Sequence, residues 1–366
     1  MADSEYMRLA LQLAQKGAGR VNPNPMVGAV IVKDGVVIGQ GYHQQYGGLH
    51  AERNALAACT TSPQGATLYV TLEPCCHYGK TPPCTEAILE NGIARVVIGS
   101  DDPNPLVAGK GIEILRSQGV QVTTHFLQEE CDKLNEVFFH FIQTKTPYVV
   151  MKYAMTLDGK IATKTGASQW ITGEIARRRV HEDRSRYSAI MAGVGTVLAD
   201  DPQLTCRIEG GRNPIRIICD THLRTPLTAQ VVTTAASVPT ILATSETDPA
   251  RHQPYLDAGC QVVAVPQRDG RLDLNTLMKQ LGAQNLDSIL LEGGGTLNWT
   301  ALKSGIVQKV QAYVAPKLFG GTGKTPVVGL GVELPDQAFR LTSPTVTRLG
   351  EDLLLESEVI PCLPGL

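Results

Sequence analysis

The sequence lacks the features that mark membrane and secreted proteins. Among its 366 residues there is no uninterrupted apolar stretch of the about eighteen residues that a transmembrane helix needs. Residues 1–5 have neither the basic start nor the apolar core of a secretory signal. We therefore expect a cytoplasmic protein that does not contact a membrane.

The sequence also lacks the charge and aromatic patterns of a nucleic-acid-binding protein. Its 33 Lys and Arg residues nearly balance its 35 Asp and Glu residues, and it has only two tryptophans. No run of like charge stands out. Because nucleic-acid binding favours a basic stripe with aromatic stacking platforms, the composition indicates small-molecule partners and no nucleic acid.

Cysteine is present, but not in the pattern of a disulfide framework. The nine cysteines are odd in number and spread over a long chain, unlike those of small disulfide-rich domains. Six are interpreted as ordinary thiols. The other three, Cys75, Cys76 and Cys84, lie close together in the sequence and are candidates for a metal site.

The stretch from His50 to Cys84 has a pattern typical of a catalytic zinc site. Such a site takes three protein ligands and keeps a fourth position open, and His50, Cys75 and Cys84 supply three. Glu52 matches the non-ligating glutamate of zinc deaminases, whose signature is H-x-E followed by P-C. Zinc acidifies a water molecule, and Glu52 can pass its proton to a departing amino group. The pattern predicts hydrolytic loss of ammonia from an amino-substituted heterocycle.

The spacing of the cysteines leaves an alternative open. Eight residues separate Cys75 from Cys84, whereas the generic signature has two, and Cys76 and His77 are rival ligands. A closed structural zinc site with four ligands, among them His50, is the competing interpretation. The acidic residue two positions after the histidine favours the catalytic interpretation, since a structural site would not require it.

Alternating strand and helix patterns predict an α/β fold in both halves of the chain. Residues 128–141 are predicted to form one helix and residues 161–163 a short strand. A polar connection ending in proline lies near residue 145, and domains have roughly 150 residues. We therefore expect two domains, 1–144 and 145–366.

A glycine-rich turn lies in the second half, within Ser288-Ile-Leu-Leu-Glu-Gly-Gly-Gly-Thr-Leu-Asn-Trp299. A predicted strand ends, three glycines turn the chain, and a helix is predicted to start at Thr296. Bare backbone N–H groups at a helix N-terminus can bind phosphate. Glycine also serves tight strand-to-helix turns for steric reasons, and this is not the G-x-G-x-x-G fingerprint, so both interpretations stay open.

Three motifs in the first half resemble the deaminase half of the bifunctional riboflavin-biosynthesis deaminase/reductase family. They are Asn22-Pro-Asn-Pro-Met-Val-Gly28, His50-Ala-Glu52 and Thr71-Leu-Glu-Pro-Cys-Cys-His-Tyr-Gly-Lys-Thr-Pro-Pro-Cys84. The long spacing before Cys84 belongs to that family's pattern. The resemblance implies a cytidine-deaminase-like three-layer sandwich that removes the C2 amino group of 2,5-diamino-6-(ribosylamino)pyrimidin-4-one 5'-phosphate.

The same resemblance assigns roles within this half. It implies that His50, Cys75 and Cys84 hold zinc and that Glu52 shuttles protons. It also implies that Asn24 contacts the substrate.

Four motifs in the second half, at residues 151–162, 168–172, 195–207 and 292–295, resemble the reductase half of the same family. They imply a dihydrofolate-reductase-like domain that uses NADPH to reduce the ribosyl group of 5-amino-6-(5-phosphoribosylamino)uracil to a ribityl group. The resemblance also implies a homo-oligomer, a dimer or a tetramer.

The reductase resemblance implies two sets of contact residues. The cofactor would contact Ala154, Trp170, Thr196, Asp200, Gly294, Gly295, Thr296, Leu297, Asn298, Trp299 and Thr300. The sugar phosphate would be surrounded by Lys152, Ser168, Arg184, Leu204, Arg207 and Glu292. The two arginines are chemically suited to phosphate, whereas Leu204 could equally be core and Asp200 could be only a turn residue.

Overall fold

The computed structural model describes residues 2–360. The chain divides into two compact units, Met1–Lys145 and Thr146–Leu366. Across the described residues, every helix is too short or too polar to cross a bilayer.

The first unit is a five-stranded sheet between two layers of helices. The strands are β1 (Gly28–Lys33), β2 (Val36–Tyr42), β3 (Thr67–Leu72), β4 (Arg95–Ser100) and β5 (Gln121–Thr123), in the order β2-β1-β3-β4-β5. The helices are α1 (Asp3–Gln15), α2 (Ala51–Ala57), α3 (Cys84–Glu90), α4 (Lys110–Ser117), α5 (Gln128–Leu134) and α6 (Glu136–Thr144). β1 is antiparallel to both neighbours, whereas β3, β4 and β5 are parallel.

Alternating residues of β1 point into two separate hydrophobic cores, because side chains of a strand alternate between the faces of its sheet. Val30 and Val32 pack in the core that contains Met7 of α1. Ile31 belongs to the core that contains Ala55 of α2. Both faces of this sheet are thus covered by helices.

A buried carboxylate fixes the loops at the carboxyl ends of β3 and β4. Glu73 follows β3 directly and accepts hydrogen bonds of 3.0 to 3.4 Å from the backbone N–H groups of Asp102, Gly109, Gly111 and Ile112. The last two lie in the first turn of α4, where N–H groups have no partner within the helix. One side chain therefore anchors the edge of the sheet beside the cysteine loop.

The second unit contains a nine-stranded mixed sheet. Its strands, in the order β10-β9-β8-β7-β13-β6-β14-β16-β15, are β6 (Tyr148–Thr156), β7 (Ala189–Gly193), β8 (Ile215–Cys219), β9 (Thr240–Thr244), β10 (Gln261–Ala264), β13 (Ser288–Leu291), β14 (Val307–Ala315), β15 (Thr345–Leu349) and β16 (Asp352–Glu358). A separate pair is formed by β11 (Gln267–Arg268) and β12 (Arg271–Leu272). The helices are α7 (Glu174–Arg186), α8 (Val194–Asp200), α9 (Gln230–Thr233), α10 (Pro249–Asp257), α11 (Leu274–Ala283), α12 (Gly295–Lys303) and the short 3-10 helix Pro335–Gln337.

The central strands of this sheet are buried on both faces. Met191 of β7 packs in the core that contains Leu277 of α11, and Ile190 packs in the opposite core with Ile218. In this order, each strand from β10 across to β14 is parallel to its neighbours. Antiparallel pairing occurs only at the other edge of this sheet, where β16 pairs with β14 and β15 pairs with β16. Ligands of such sheets bind at the carboxyl ends of the parallel strands, so β13, β7 and β8 end where a site is expected.

Two of the predicted elements are wrong. The predicted helix over 128–141 is interrupted at Asn135, whose side chain accepts a hydrogen bond from the Met26 N–H and donates one to the Met26 carbonyl. Residues 161–163 form no strand, because Ile161 donates its N–H to the Lys324 carbonyl in an irregular segment. Both outcomes depend on contacts distant in sequence, which a local pattern does not contain.

Candidate active sites

Two helix starts and one loop bring three metal-binding side chains together in the first unit. His50 immediately precedes α2, Cys84 is the first residue of α3, and Cys75 lies in the loop after β3. The Nδ1 atom of His50 lies 3.4 Å from the Sγ atom of each cysteine. Zinc at about 2.0 to 2.3 Å from each ligand separates tetrahedral ligands by roughly 3.3 to 3.8 Å, so these atoms fit a zinc ion.

The rival ligands lie outside this cluster. Among residues 2–360, the three side chains whose donor atoms lie within 4.8 Å of one another are His50, Cys75 and Cys84. The thiol of Cys76 instead faces the Leu106 carbonyl at 3.7 Å. This arrangement fits an open three-ligand site better than a closed site with four protein ligands.

Hydrogen bonding makes the two cysteines of the cluster unequal. The thiol of Cys84 and the ring of His50 donate to Cys75, which lowers the pKa of Cys75 to about 4 despite its burial. The same hydrogen bond, together with burial, raises the pKa of Cys84. Thiolate is the form of cysteine that ligates a metal, and a bound dication would displace protons from these thiols.

Glu52 lies beside the ligands without joining them. Its side chain is in the first turn of α2 and is 3% exposed. Burial, followed by the neighbouring charge of Cys75, raises the pKa of the Glu52 carboxyl. A buried carboxyl with a raised pKa is suited to accept and release a proton.

Asn24 lies beside a histidine that sequence reasoning did not identify. The Asn24 Nδ2 atom is 3.2 Å from His43 Nε2, and His43 Nδ1 is 3.0 Å from the Leu49 carbonyl. Burial lowers the pKa of His43, so the neutral ring donates to Leu49 and accepts from Asn24. The sequence signal that could have indicated His43 is its position directly after β2.

In the second unit, a cavity of about 740 Å³ lies at the carboxyl edge of the sheet. This volume is within the range of small-molecule and cofactor sites. The predicted contact residues that line it are Ser168, Thr196, Asp200, Glu292, Gly294, Gly295, Thr296, Leu297 and Thr300. Asp200, the last residue of α8, therefore faces the cavity as well as ending a helix.

The three glycines of the turn after β13 have different surroundings. A Cβ atom on Gly293 would lie 2.9 Å from Asn298 Oδ1, and one on Gly295 would lie 2.6 Å from Val328. The nearest atom to a Cβ on Gly294 is Thr196 Oγ1 at 3.8 Å. Close packing thus explains two of the glycines, while the third presents open backbone to the cavity.

Three other predicted contact residues pack against protein groups and do not face the cavity. Asn298 is fully buried and donates to the Pro326 carbonyl at 2.8 Å. Trp299 packs edge to face against Phe339, and Leu204 is buried in the core. None of the three lines the cavity of the described residues.

Two further predicted cofactor contacts lie outside the cavity lining. Ala154 is partly buried on β6 and packs against a small core. Trp170 is 58% exposed and lies beneath the guanidinium of Arg177, which is 4.6 Å from its ring centroid.

Glu292, at the end of β13, joins a buried ion cluster. It accepts bonds of 2.7 and 3.0 Å from Arg184 and lies 3.4 Å from Lys152 Nζ. Burial opposes ionisation of Glu292, but the two cations hold its pKa well below the usual range. Arg184 also donates to the Thr205 carbonyl at 3.0 Å, so its guanidinium is engaged within the protein.

Arg207 differs from Arg184 in its environment. Its side chain is exposed and makes no ion pair with any residue from 2 to 360. Arg207 is therefore the better placed of the two predicted arginines to bind an external anion.

Several cavity residues were not found from the sequence. They are Thr221, His222, Arg224, Arg271 and Lys324. The first three follow the carboxyl end of β8, and the edge rule for parallel sheets could have indicated them. Arg271 and Lys324 carry no sequence signal that points to the cavity.

Family models match both units of the chain. The cytidine and deoxycytidylate deaminase zinc-binding region matches residues 1–100, and the RibD C-terminal domain matches residues 147–355. The riboflavin biosynthesis protein RibD of Actinobacillus pleuropneumoniae is 54% identical over 361 residues, covering 98% of this chain and 96% of the relative. RibD of Escherichia coli K12 is 39% identical over 368 residues, covering 97% of this chain and 99% of the relative.

Solved structures are similar along the same length. RibD of Acinetobacter baumannii has a TM-score of 0.88 and 37% identity, covering 98% of this chain and 99% of that chain. A diaminohydroxyphosphoribosylaminopyrimidine deaminase/5-amino-6-(5-phosphoribosylamino)uracil reductase of Thermotoga maritima has a TM-score of 0.85 and 39% identity, covering 98% of both chains. The predicted α/β fold, deaminase-like in the first part and reductase-like in the second, is confirmed.

Proposed function

The chain belongs to the RibD family of bifunctional riboflavin-biosynthesis enzymes, and from this we propose that the His50 cluster and the cavity beside Glu292 are its two active sites. It is a zinc-dependent deaminase and an NADPH-dependent reductase. The proposed substrates are 2,5-diamino-6-(ribosylamino)pyrimidin-4-one 5'-phosphate and then 5-amino-6-(5-phosphoribosylamino)uracil. The division into a deaminase domain, 1–144, and a reductase domain, 145–366, is part of this proposal.

For the deaminase, His50, Cys75 and Cys84 would hold the zinc ion. Bound zinc would act as a Lewis acid that lowers the pKa of a water molecule. Glu52 would accept the proton of the attacking water and return it to the departing amino group. The observation that supports these roles is the 3.4 Å spacing of His50 from both sulfurs beside a buried carboxyl that is no ligand.

Asn24 would orient the pyrimidine. Its amide N–H group faces the neutral His43 ring, which leaves the amide oxygen available to accept a hydrogen bond from the substrate. Because His43 is held by Leu49, the orientation of Asn24 is fixed before substrate binds, which reduces the entropy lost on binding.

The decisive test of the deaminase is the variant Glu52→Gln, which keeps the shape and removes the carboxylate. We expect ammonia release to fall at least about 100-fold, the range of general acid–base catalysis, with zinc content unchanged. Reduction of separately supplied deaminated substrate serves as the control for folding. Normal ammonia release with zinc still bound would show that Glu52 is not the proton carrier.

For the reductase, bound NADPH would be the source of the hydride that reduces C1 of the ribose. The open backbone at Gly294 and the start of α12 would bind cofactor phosphate, since a helix N-terminus favours anions. Thr196, Asp200, Thr296, Leu297 and Thr300 would line the rest of its site, with Ala154, Trp170, Asn298 and Trp299 as outer contacts.

The sugar phosphate of the substrate would bind next to Glu292. Arg207 would supply the free guanidinium, and Ser168, which lines the cavity, would be a further contact. Lys152 and Arg184 would act mainly through Glu292, to which both are paired. Leu204 would support this surface from the core.

We also propose that the enzyme is a cytoplasmic homo-oligomer, a dimer or a tetramer. A reducing compartment agrees with the eight free cysteines among the described residues. Assembly would cover exposed apolar side chains such as Leu330, which is 96% exposed, and Leu318. Light scattering after size exclusion tests the assembly, and a monomeric mass at micromolar concentration would contradict it.

A further inference from the structure

We propose that His181 is a positioning residue of the reductase site, because its Nδ1 atom accepts a hydrogen bond from the backbone N–H of Arg207 and so positions the residue whose guanidinium would bind phosphate. This inference rests on the proposed role of Arg207. His181 lies on α7, one turn before Arg184, and was not among the residues found from the sequence.

Helix α7 holds three consecutive residues of the Arg207 loop. Arg184 donates to the Thr205 carbonyl at 3.0 Å, the Cys206 thiol donates to the His181 carbonyl at 3.3 Å, and the Arg207 N–H donates to His181 Nδ1 at 3.3 Å. Residues 201–214 contain no helix or strand. Contacts with α7 therefore hold the loop at residues 205–207, while Gln230 holds Asp201 and Arg216 holds the Gln203 carbonyl nearer its start.

Burial and neighbouring cations disfavour protonation of the imidazole. Burial, followed by the charges of Arg184 and Arg207, lowers the pKa of His181 to about 4, against the opposing effects of Glu292 and of a hydrogen bond with the Thr205 backbone. In the neutral ring one nitrogen carries the proton and the other accepts, so Nδ1 is available to the Arg207 N–H and Nε2 carries the proton.

Because a neutral His181 adds no charge, the net charge of the site is set by the other four ionisable residues. Lys152, Arg184 and Arg207 are opposed by Glu292, which leaves two net positive charges beside the Arg207 loop. That balance matches a phosphate dianion. An imidazolium would add a third positive charge and would lose its acceptor atom, and with it the hydrogen bond from the Arg207 N–H.

Three variants separate the acceptor role from simple packing. His181→Leu removes both ring nitrogens, His181→Asn places an oxygen near the position of Nδ1, and His181→Gln places its polar group near the position of Nε2. A typical hydrogen bond accounts for about fivefold to tenfold in an equilibrium. We expect the Leu and Gln variants to raise KM for the phosphorylated reductase substrate about fivefold to tenfold, and the Asn variant to stay within about twofold.

The value of kcat should stay within about twofold in all three variants, because His181 does not touch the reacting atoms. NADPH affinity, measured by fluorescence titration, should not change, since His181 does not line the cavity. Both readouts also report whether the variants are folded, and ammonia release provides a second control on the same chain.

The double variant with Arg207→Ala tests whether His181 acts through Arg207. If it does, His181→Leu will raise KM no further once Arg207 is gone, so the two effects will not add. Additive effects, failure of Asn to rescue, or a lowered kcat at unchanged KM would each overturn the inference. If Arg207→Ala raises KM but His181→Leu does not, only the role of His181 is wrong. An unchanged KM in Arg207→Ala overturns the proposed phosphate site and this inference together.

Discussion

The two candidate sites of this chain are assembled in different ways. The candidate zinc cluster takes its proposed ligands and its proposed proton carrier from residues 50–84, at the starts of two helices and in one loop. The reductase cavity takes its lining from residues 161–328, at the ends of several strands. The first depends on a few atoms at short distances, and the second depends on the packing of a whole sheet. Their responses to substitution should differ accordingly.

Removing one ligand should abolish the first site and spare the second. In Cys84→Ser we expect zinc content to fall to background and ammonia release to fall more than about 100-fold, beyond the loss that follows removal of a supporting residue. Reductase kinetics should not change. Metal analysis and the two assays provide the measurements.

The matched control is Cys76→Ser, because Cys76 lies outside the cluster. It should keep its zinc and its activity. Loss of zinc in this variant would support the closed four-ligand alternative.

Removing the Glu292 carboxylate should lower the stability of the folded protein as well as the reductase activity. Glu292→Gln leaves Lys152 and Arg184 buried with no full counter-charge, and breaking a buried ion pair costs about 3 to 5 kcal/mol. We expect a loss of free energy of unfolding of that size in urea titration, with reductase activity lost. The exposed Glu209→Gln is the control, and equal stability of the two variants would mean that the buried cluster is not important for folding.

A smaller effect tests the close packing of the glycine turn. A Cβ on Gly295 would approach Val328 to 2.6 Å and the Thr325 carbonyl to 2.8 Å, so Gly295→Ala should displace that segment. We expect the Kd of NADPH to rise about tenfold, which corresponds to about 1.4 kcal/mol. Adding Val328→Ala should recover part of this loss, and an unchanged Kd in the single variant would show that the cavity tolerates local movement.

The smallest expected effect is the part of the pH dependence of stability that His181 contributes. The pKa of His181 is lowered to about 4, so between the ordinary value near 6.5 and this value the unfolded chain binds the proton and the folded chain does not. Stability should therefore fall as pH falls through this window, and it should fall less in His181→Asn. Urea midpoints at pH 7 and pH 5 give the comparison, and parallel losses in both proteins would contradict the assignment.

The sequence was more informative for the first site than for the second. His50, Cys75 and Cys84 could be grouped because a helix start and a strand end carry them at motif spacing. Glu52 followed from the same motif. The position of the Cys76 thiol outside the cluster could not be predicted, because it depends on a contact with the Leu106 carbonyl.

In the second unit, the strand pattern and the glycine turn predicted the sheet edge but not the side-chain directions. Trp299 turns toward Phe339, and this contact arises from a segment with little regular structure. Strands β15 and β16 were missed because β15 is largely exposed and offers no clear alternation of apolar residues. Contacts between distant segments decided each of these outcomes.

The Glu73 carboxylate accepts hydrogen bonds from four backbone amides, so breaking its contacts affects all four amides together. Its carboxylate binds N–H groups between positions 102 and 112, so a single opening exposes all four to solvent. In native-state hydrogen exchange these four protons should become exchangeable at one common rate. Their shared protection would report, without any substrate, how stable the carboxylate contacts of Glu73 are beside the loop that carries Cys75.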